Sequence, residues 1–352
     1  MNAIRVAHEG ADYDVLISSL SEIMPRLAAL AEGRRLPIIS DRQVFNLYGA
    51  LLASICQQDP IIVPSGEAAK DWQVLTEIVE RLSELGVKRG TPIIALGGGS
   101  IGDVAGLAAK LFKRGCPVIH VPTTLLAQAD SAIGGKTAID AAGQKNLVGT
   151  FHHPMLVVAD SGLLDTLDAR QIRSGYAEVV KYGLIDDPAF FDWCEANGGA
   201  IVGGAGTARA TAIEHCIRAK ARFVAADPDD TRGVRSLLNF GHTFGHAIEA
   251  LAAGTLLHGE AVALGMVLAF EFSADLGLCP IDEAARVNSH LRQMGLPVTI
   301  SEIDIDGQAI FAAMQADKKS TAEGLVMILT KGIGQAFVAP DIEPDRLSAF
   351  LN

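Results

Sequence analysis

The sequence predicts an α/β domain with a largely parallel sheet over residues 1–162, followed by a mainly α-helical domain over residues 163–352. Three observations carry this reading. The chain has 352 residues, more than the ~100–200 of one ordinary domain. Up to Leu156–Ala159, short β-branched runs alternate with helical periodicity. Those runs show little polar alternation, as strands buried on both faces do. From Leu163 onward, long helical patterns follow one another.

In the first half, strands are expected at Leu36–Ser40, Pro60–Val63, Pro92–Leu96, Val118–Val121 and Leu156–Ala159. Between them, Asp71–Glu84 carries Val74, Leu75, Ile78, Val79 and Leu82 at helical spacing. That suits a crossover helix of a doubly wound sheet. A further helix is expected at Val104–Phe112. In the second half, helices are expected at Arg170–Tyr182, Thr207–Ala226, Val234–Ala252, Gly259–Asp275 and Ile281–Met294. Only Gly324–Leu329 and Ala336–Val338 read as strand there.

Composition excludes several classes of function. Against 41 Asp and Glu stand 29 Lys and Arg, a net charge of −12. General affinity for nucleic acid or anionic membrane needs clustered cations, which this balance argues against. A local basic pocket for a small anion is still compatible with it. No apolar stretch approaches the ~18–20 residues of a membrane span; the longest, Ala261–Phe270, stops at Glu271. Met1–Arg5 shows no secretory pattern. The five cysteines form no CxxC pair, so buried thiols in a reducing cytoplasm are expected rather than disulfides or a thiolate metal site.

The chemistry-bearing motifs begin with Gly97-Gly98-Gly99-Ser100-Ile101-Gly102-Asp103, between a strand and a helix. Such a run either lets backbone N–H groups approach a phosphate at a helix N-terminus or forms a tight strand-to-helix turn. It contains G-x-G-x-x-G, but Pro117–Thr124 lacks the acidic residue that usually follows about 20 residues later. Asp41, after an earlier strand, is the alternative partner for a ribose hydroxyl. Glu67 and Lys70 form a weaker motif that also reads as a loop and helix start. Val121–Thr137 and Gln144–Leu147 gather hydroxyls, an acid, glycines and lysines, and read as a loop-rich binding surface.

In the helical half, Glu178 and Lys181 lie at i, i+3 on one face. Asn239, His242 and His246 are expected to share a face of another helix, and His258 opens the next. A carboxylate and two imidazoles from three helices would make a catalytic zinc site with an open position. Taken singly, each histidine also fits a packing role.

Together the segments GGGSIGD, VPTTLLAQADSAIGGKTAID, KNLVGTF, AEVVKYGLI, LLNFGHTFGHAIE, LHGEAV and the late DKK resemble the 3-dehydroquinate synthase family of sugar phosphate cyclases, in the same order and over most of the chain. The resemblance implies an NAD-binding α/β domain, a metal-binding helical domain and a cytoplasmic homodimer. It implies conversion of 3-deoxy-D-arabino-heptulosonate 7-phosphate (DAHP) to 3-dehydroquinate and phosphate, a step of the shikimate pathway to aromatic amino acids. The route would run through NAD-mediated oxidation, β-elimination of phosphate, reduction, ring opening and intramolecular aldol closure. Glu178, His242 and His258 match its ligands for zinc or cobalt. Asp41, Glu67, Lys70, Gly98, Gly99, Ser100, Asp103, Thr123, Thr124, Lys136 and Lys145 match its NAD contacts. Asp130, Lys136, Asn146, Lys181, Lys220, Arg235, Asn239, His246 and either Lys318 or Lys319 match its catalytic and substrate contacts. Arg114 matches a further one, supplied from a neighbouring subunit. The lysines and arginines of these motifs are expected to form a basic pocket on an acidic protein. Another sugar phosphate cyclase is the alternative, then a metal-dependent polyol dehydrogenase or a non-catalytic metal-stabilised binding module.

Overall fold

The computed structural model describes residues 2–7, 12–228, 230–318 and 325–352, the side chains of residues 317 and 318 excepted. The chain forms two compact units, Met1–Leu167 with Arg209–Asp229, and Asp168–Ala208 with Asp230–Asn352.

The first unit opens with two strands absent from the sequence reading, β1 (Asn2–Val6) and β2 (Tyr13–Ile17), paired antiparallel. There follow α1 (Leu20–Ala31), β3 (Ile38–Asp41), α2 (Arg42–Tyr48), β4 (Ile61–Val63), α3 (Trp72–Glu84), β5 (Ile93–Gly97), α4 (Gly99–Leu111), β6 (Val118–Pro122), β7 (Lys136–Ala141), β8 (Gln144–Phe151) and β9 (Leu156–Ala159). One seven-stranded sheet runs β1-β2-β9-β6-β5-β3-β4, and every pairing beyond the first is parallel. All five expected strands are present, and the sheet's pleat explains their unbroken apolar runs. Ile93 and Ala95 of β5 enter the core beneath α3 and α4, whereas Ile94 and Leu96 enter the core beneath α1. Successive residues of a strand face opposite sides, so a sheet covered by helices on both sides needs apolar residues at every position.

Three local expectations are corrected here. Helix α4 starts at Gly99, not Val104, so the glycine run forms its first turn and Gly98 its N-cap. The stretch read as loop after Gly135 is an antiparallel hairpin, β7–β8, closed by Ala142 and Gly143. Both turn residues have positive φ, 50° and 75°, the twist that two-residue hairpins favour. Strand β8 is mostly exposed and polar, which hid it from apolar periodicity. Helix α7 (Gly206–Ala226) mostly belongs to the first unit, whereas the sequence reading put all of residues 163–352 in the helical domain. Arg209 and Lys220 anchor α7 there, through Asp165 at 3.3 Å and Asp130 at 2.9 Å.

The second unit contains α5 (Ala169–Asp186), α6 (Pro188–Gly203), α8 (His242–Leu251), α9 (His258–Asp275), α10 (Ile281–Gln293), α11 (Gly307–Lys318), the antiparallel pair β10 (Leu325–Thr330) and β11 (Ala336–Ile342), and α12 (Pro344–Leu351). Residues 259–270 of α9 are buried without a break; α5, α8, α10 and β10 pack around it. A helix apolar on all sides belongs at the centre of a bundle. Among the described residues no helix is long and apolar enough to cross a membrane. All five cysteines are buried and unbridged.

The single helix expected at Val234–Ala252 is broken. Arg235–Asn239 forms a short 3-10 turn, Gly241 turns the backbone at φ +81°, and α8 begins at His242. The break lets α8 lie very close to α9. A Cβ on Gly265 of α9 would fall 2.1 Å from the Gly241 carbonyl oxygen and 2.8 Å from the Gly245 nitrogen. Both neighbours are backbone, so the helices themselves would have to separate. Gly265→Ala is therefore expected to destabilise the protein by about 1–3 kcal/mol or more, read as a lower urea midpoint. An unchanged midpoint would show that the contact is not rigid.

Candidate active site

In the first unit the polar candidates meet beside the N-terminus of α4. Lys70, 4% exposed, lies 3.0 Å from Asp103 Oδ2 and 3.7 Å from Glu67 Oε2. It also donates to Asn146 Oδ1, and Ser100 Oγ donates to Glu67 Oε1 at 2.7 Å. Asn146 adopts φ 55° while its backbone N–H donates to Asp140 Oδ1 at 2.8 Å. Burial works against the Lys70 charge, but Asp103 and Glu67 outweigh it and raise its pKa. Burial pushes Asp103 up to about 6 against the pull of Lys70. The network thus gathers Glu67, Lys70, Ser100, Asp103 and Asn146.

The glycine run shapes a small pocket next to this network. Gly98, Gly99, Asp103, Ser131 and Lys136 line it, with His120 of β6. A Cβ on Gly98 would stand 3.0 Å from Thr124 Cγ2, and one on Gly99 3.0 Å from Ser131 Oγ. Thr123 is buried and its N–H donates to the Gly97 carbonyl at 2.9 Å. Thr124 Oγ1 caps the π-helical turn Ala127–Ser131, accepting from the Ala127 N–H at 3.2 Å. Asp130 in that turn takes Lys220 Nζ on its carboxylate at 2.9 Å and on its carbonyl at 2.7 Å. Asp41 stands apart from the network as the N-cap of α2, accepting from the Val44 N–H at 2.9 Å. Lys136, Lys145 and Arg114 are exposed, and Arg114 has φ 63°.

In the second unit, Glu178 sits mid-α5 with 1% of its side chain exposed. Lys181, one turn on and equally buried, pairs with Oε2 at 2.5 Å. Oε1 faces His242 Nε2 at 3.6 Å and His258 Nε2 at 3.5 Å, and accepts no hydrogen bond. One atom from each of Glu178, His242 and His258 lies within 4.8 Å of the other two. Ligand atoms each about 2.0–2.1 Å from a tetrahedral zinc are about 3.3 Å apart, and the two Glu178 Oε1 distances of 3.6 and 3.5 Å match that spacing. Burial lowers His242 to about 3. Burial also acts on His258, but Glu178 and Glu249 overcome it and raise that ring to about 9. Glu178 itself is held well below the usual carboxylate range: burial opposes ionisation, and Lys181 with the two imidazoles prevails.

These three side chains converge because the helices that carry them touch. A Cβ on Gly259, next to His258, would overlap the Ser174 carbonyl oxygen of α5 at 1.9 Å, and the Gly259 N–H donates to Ser174 Oγ at 3.0 Å. Arg170 at the start of α5 holds Glu260 through two bonds of 2.7 Å, while Glu260 caps the Leu257 N–H at 2.8 Å. His246 is exposed, its ring 5.2 Å from that of His242 and 6.1 Å from that of His258. Asn239 is exposed in the separate 3-10 turn, and so does not share a helical face with the histidines as expected. Arg235, in the same turn, is buried. The side chain of Lys318 and all of Lys319 lie outside the described residues.

Two groups escaped the sequence reading. Glu249 Oε2 lies 3.2 Å from His258 Nδ1; its place seven residues after His242, two turns along the same face, was the available signal. His120 is 6% exposed and looks, in sequence, like any interior residue of an apolar strand.

Family models described as 3-dehydroquinate synthase N-terminal and C-terminal match residues 60–174 and 175–320. The chain belongs to the 3-dehydroquinate synthase family. The 3-dehydroquinate synthase of Zymomonas mobilis is 49% identical over 298 residues, 84% of this chain and 79% of its own. That of Rhodopseudomonas palustris is 45% identical, covering 99% of this chain and 95% of its own. Among solved structures, the 2-epi-5-epi-valiolone synthase ValA of Streptomyces hygroscopicus, with NAD+ and Zn2+ bound, superposes with a TM-score of 0.90 at 32% identity, covering 98% of this chain and 97% of its own. A 2-deoxy-scyllo-inosose synthase with carbaglucose-6-phosphate, NAD+ and Co2+ gives 0.89 at 27%, covering 99% of both chains. A glycerol dehydrogenase from Schizosaccharomyces pombe gives 0.67 at 15%, covering 96% of this chain and 87% of its own, and shares the fold.

In the first unit of this 3-dehydroquinate synthase family member, burial drops His120 to about 4, with His152 adding to the effect. A histidine kept neutral on folding favours the native state above its unfolded pKa of about 6.5, and that advantage is lost as pH falls toward 4. The shift corresponds to roughly 3 kcal/mol. Unfolding followed from pH 7 to 4 should show His120→Gln losing less stability than the wild type across that window; parallel curves would refute the assignment.

Proposed function

We propose that the protein is an NAD- and metal-dependent lyase that converts DAHP to 3-dehydroquinate and phosphate. The observation that carries the proposal is the convergence of His242 and His258 on one buried carboxylate oxygen of Glu178 in a chain of this family. When bound, NAD would take up and return hydride at a secondary hydroxyl, and zinc or cobalt would polarise that oxygen.

This chain's own residues then bind and orient. Glu178, His242 and His258 would hold the metal. Lys181 keeps Glu178 ionised. For NAD, Gly98, Gly99 and Ser100 present the first turn of α4 to a phosphate. Thr123, Thr124, Lys136 and Lys145 serve the same ligand, as do Glu67, Lys70 and Asp103; Asp41 takes a ribose hydroxyl on the carboxylate oxygen not engaged in capping. Asp130, Asn146, Lys220, Arg235, Asn239 and His246 are assigned to the substrate with Lys136 and Lys181. Either Lys318 or Lys319 completes that set. The proton lost before elimination goes to the substrate's own phosphate, so no separate strong base is required. Arg114, exposed at the end of α4, would reach the phosphate pocket of a second subunit in a cytoplasmic homodimer.

A sibling cyclase is the second reading, favoured by the superposition on ValA at 32% identity but opposed by the 44–49% identities of the 3-dehydroquinate synthases. Purified protein with NAD, zinc and DAHP should release phosphate without accumulating NADH. Release from sedoheptulose 7-phosphate or glucose 6-phosphate instead would favour the sibling, and steady NADH formation with glycerol would favour a dehydrogenase. Glu178→Ala and His258→Ala are each expected to abolish turnover and weaken zinc retention, measured by metal analysis after dialysis. Full activity in both would overturn the site.

A further inference from the structure

The two imidazoles face the same carboxylate oxygen, but their outer nitrogens are held differently. His242 Nδ1 lies 3.3 Å from the Phe240 carbonyl, a neutral acceptor fixed in the backbone two residues away. His258 Nδ1 lies 3.2 Å from Glu249 Oε2, a carboxylate on α8. In both rings Nε2 is the nitrogen turned toward Glu178. A proton on Nδ1 donated outward leaves the Nε2 lone pair facing inward, which is the tautomer a metal needs.

His258 is the ligand most in need of support. Its side chain is 33% exposed against 13% for His242 and 1% for Glu178. It also stands at the first residue of α9, where Glu260 and Gly259 fix the backbone but not the ring. The Glu249 side chain is only 10% exposed, so it can pull on the ring from a fixed place.

We propose that Glu249 is the positioning residue for the metal ligand His258: it accepts the Nδ1 proton, fixes the ring with Nε2 inward, and makes that nitrogen a stronger donor to a divalent metal. Helix α8 then supplies one ligand, His242, and two turns later the group that orients another. The inference rests on the metal site proposed above, and its test separates the two.

Metal-free protein is titrated with Zn2+ against a chromophoric chelator, for the wild type, Glu249→Ala and Glu249→Gln. Glu249→Ala is expected to bind zinc about 10–100-fold more weakly. Glu249→Gln, whose amide oxygen can accept the same bond at the same length, should retain most of the affinity. Far-UV circular dichroism and NAD affinity should not move in either variant, which separates ring positioning from a general loss of structure. Wild-type affinity in Glu249→Ala, or an equal loss in both variants, would overturn the proposal. Should Glu249→Ala fail to fold, the visible spectrum of Co2+-loaded Glu249→Gln decides: a wild-type band supports the role of the hydrogen bond and a displaced one overturns it. A wild type that takes up no zinc would instead sink the metal site itself.

Discussion

Ionising a carboxylate inside a helical bundle costs several kcal/mol unless opposite charge and polar groups surround it. Glu178 sets that requirement at the middle of α5, with 1% of its side chain exposed. Lys181 meets part of it from the same helix, and a divalent metal held together with His242 of α8 and His258 of α9 would meet the rest. Much of the second unit's construction follows from bringing those imidazoles close enough. Three helix axes cannot crowd around one side chain while ordinary side chains fill the seams between them. Gly259 against Ser174, and Gly241, Gly245 and Gly265 between α8 and α9, empty those seams. The buried face of α9 supplies the apolar packing that offsets the charge at its end, at roughly 1.5–3 kcal/mol for each large side chain.

Much of the fold was legible in the sequence because it rests on periodicity. The apolar runs of β3, β4, β5, β6 and β9 had to be strands buried on both sides, and the helical spacing around Ile78 had to be α3. The failures have physical causes. Strand β8 is mostly exposed and opens on Gln144, Lys145 and Asn146, so that part of the β7–β8 hairpin read as loop. Helix α7 has helical spacing in either domain, and only the partners of Arg209 and Lys220 reveal which one it serves. The break at Gly241 was masked by apolar residues at helical spacing on both sides of it, Leu237 and Leu238 before and Phe244, Ala247 and Ile248 after, although Asn239, His242 and Thr243 are weak helix formers.

The site divides along the same line. Glu178, His242 and His258 were singled out by the family resemblance, since spacing alone did not separate His242 from His246, and their approach to one another depends on three helices touching at glycines. Second-layer groups were harder still. Glu249 and Arg170 bear no distinctive pattern, because a carboxylate or guanidinium on a helix is usually only a solvated surface charge. Their places become meaningful through the 3.2 Å contact to His258 and the paired 2.7 Å contacts to Glu260.

The net charge of −12 acquires a more specific sense from these contacts. Composition allowed a basic pocket on an acidic protein. Among the described residues, the three most buried motif lysines each sit against a carboxylate: Lys70 with Asp103, Lys181 with Glu178, Lys220 with Asp130. An isolated ammonium buried to that extent would tend to lose its proton. A neighbouring carboxylate keeps it charged and aimed. Attraction for an anion is weaker than a bare cluster would give, because each internal carboxylate opposes it. What the pairing supplies is fixed direction, which suits a ligand that must be held in one orientation more than it suits simple accumulation of negative charge.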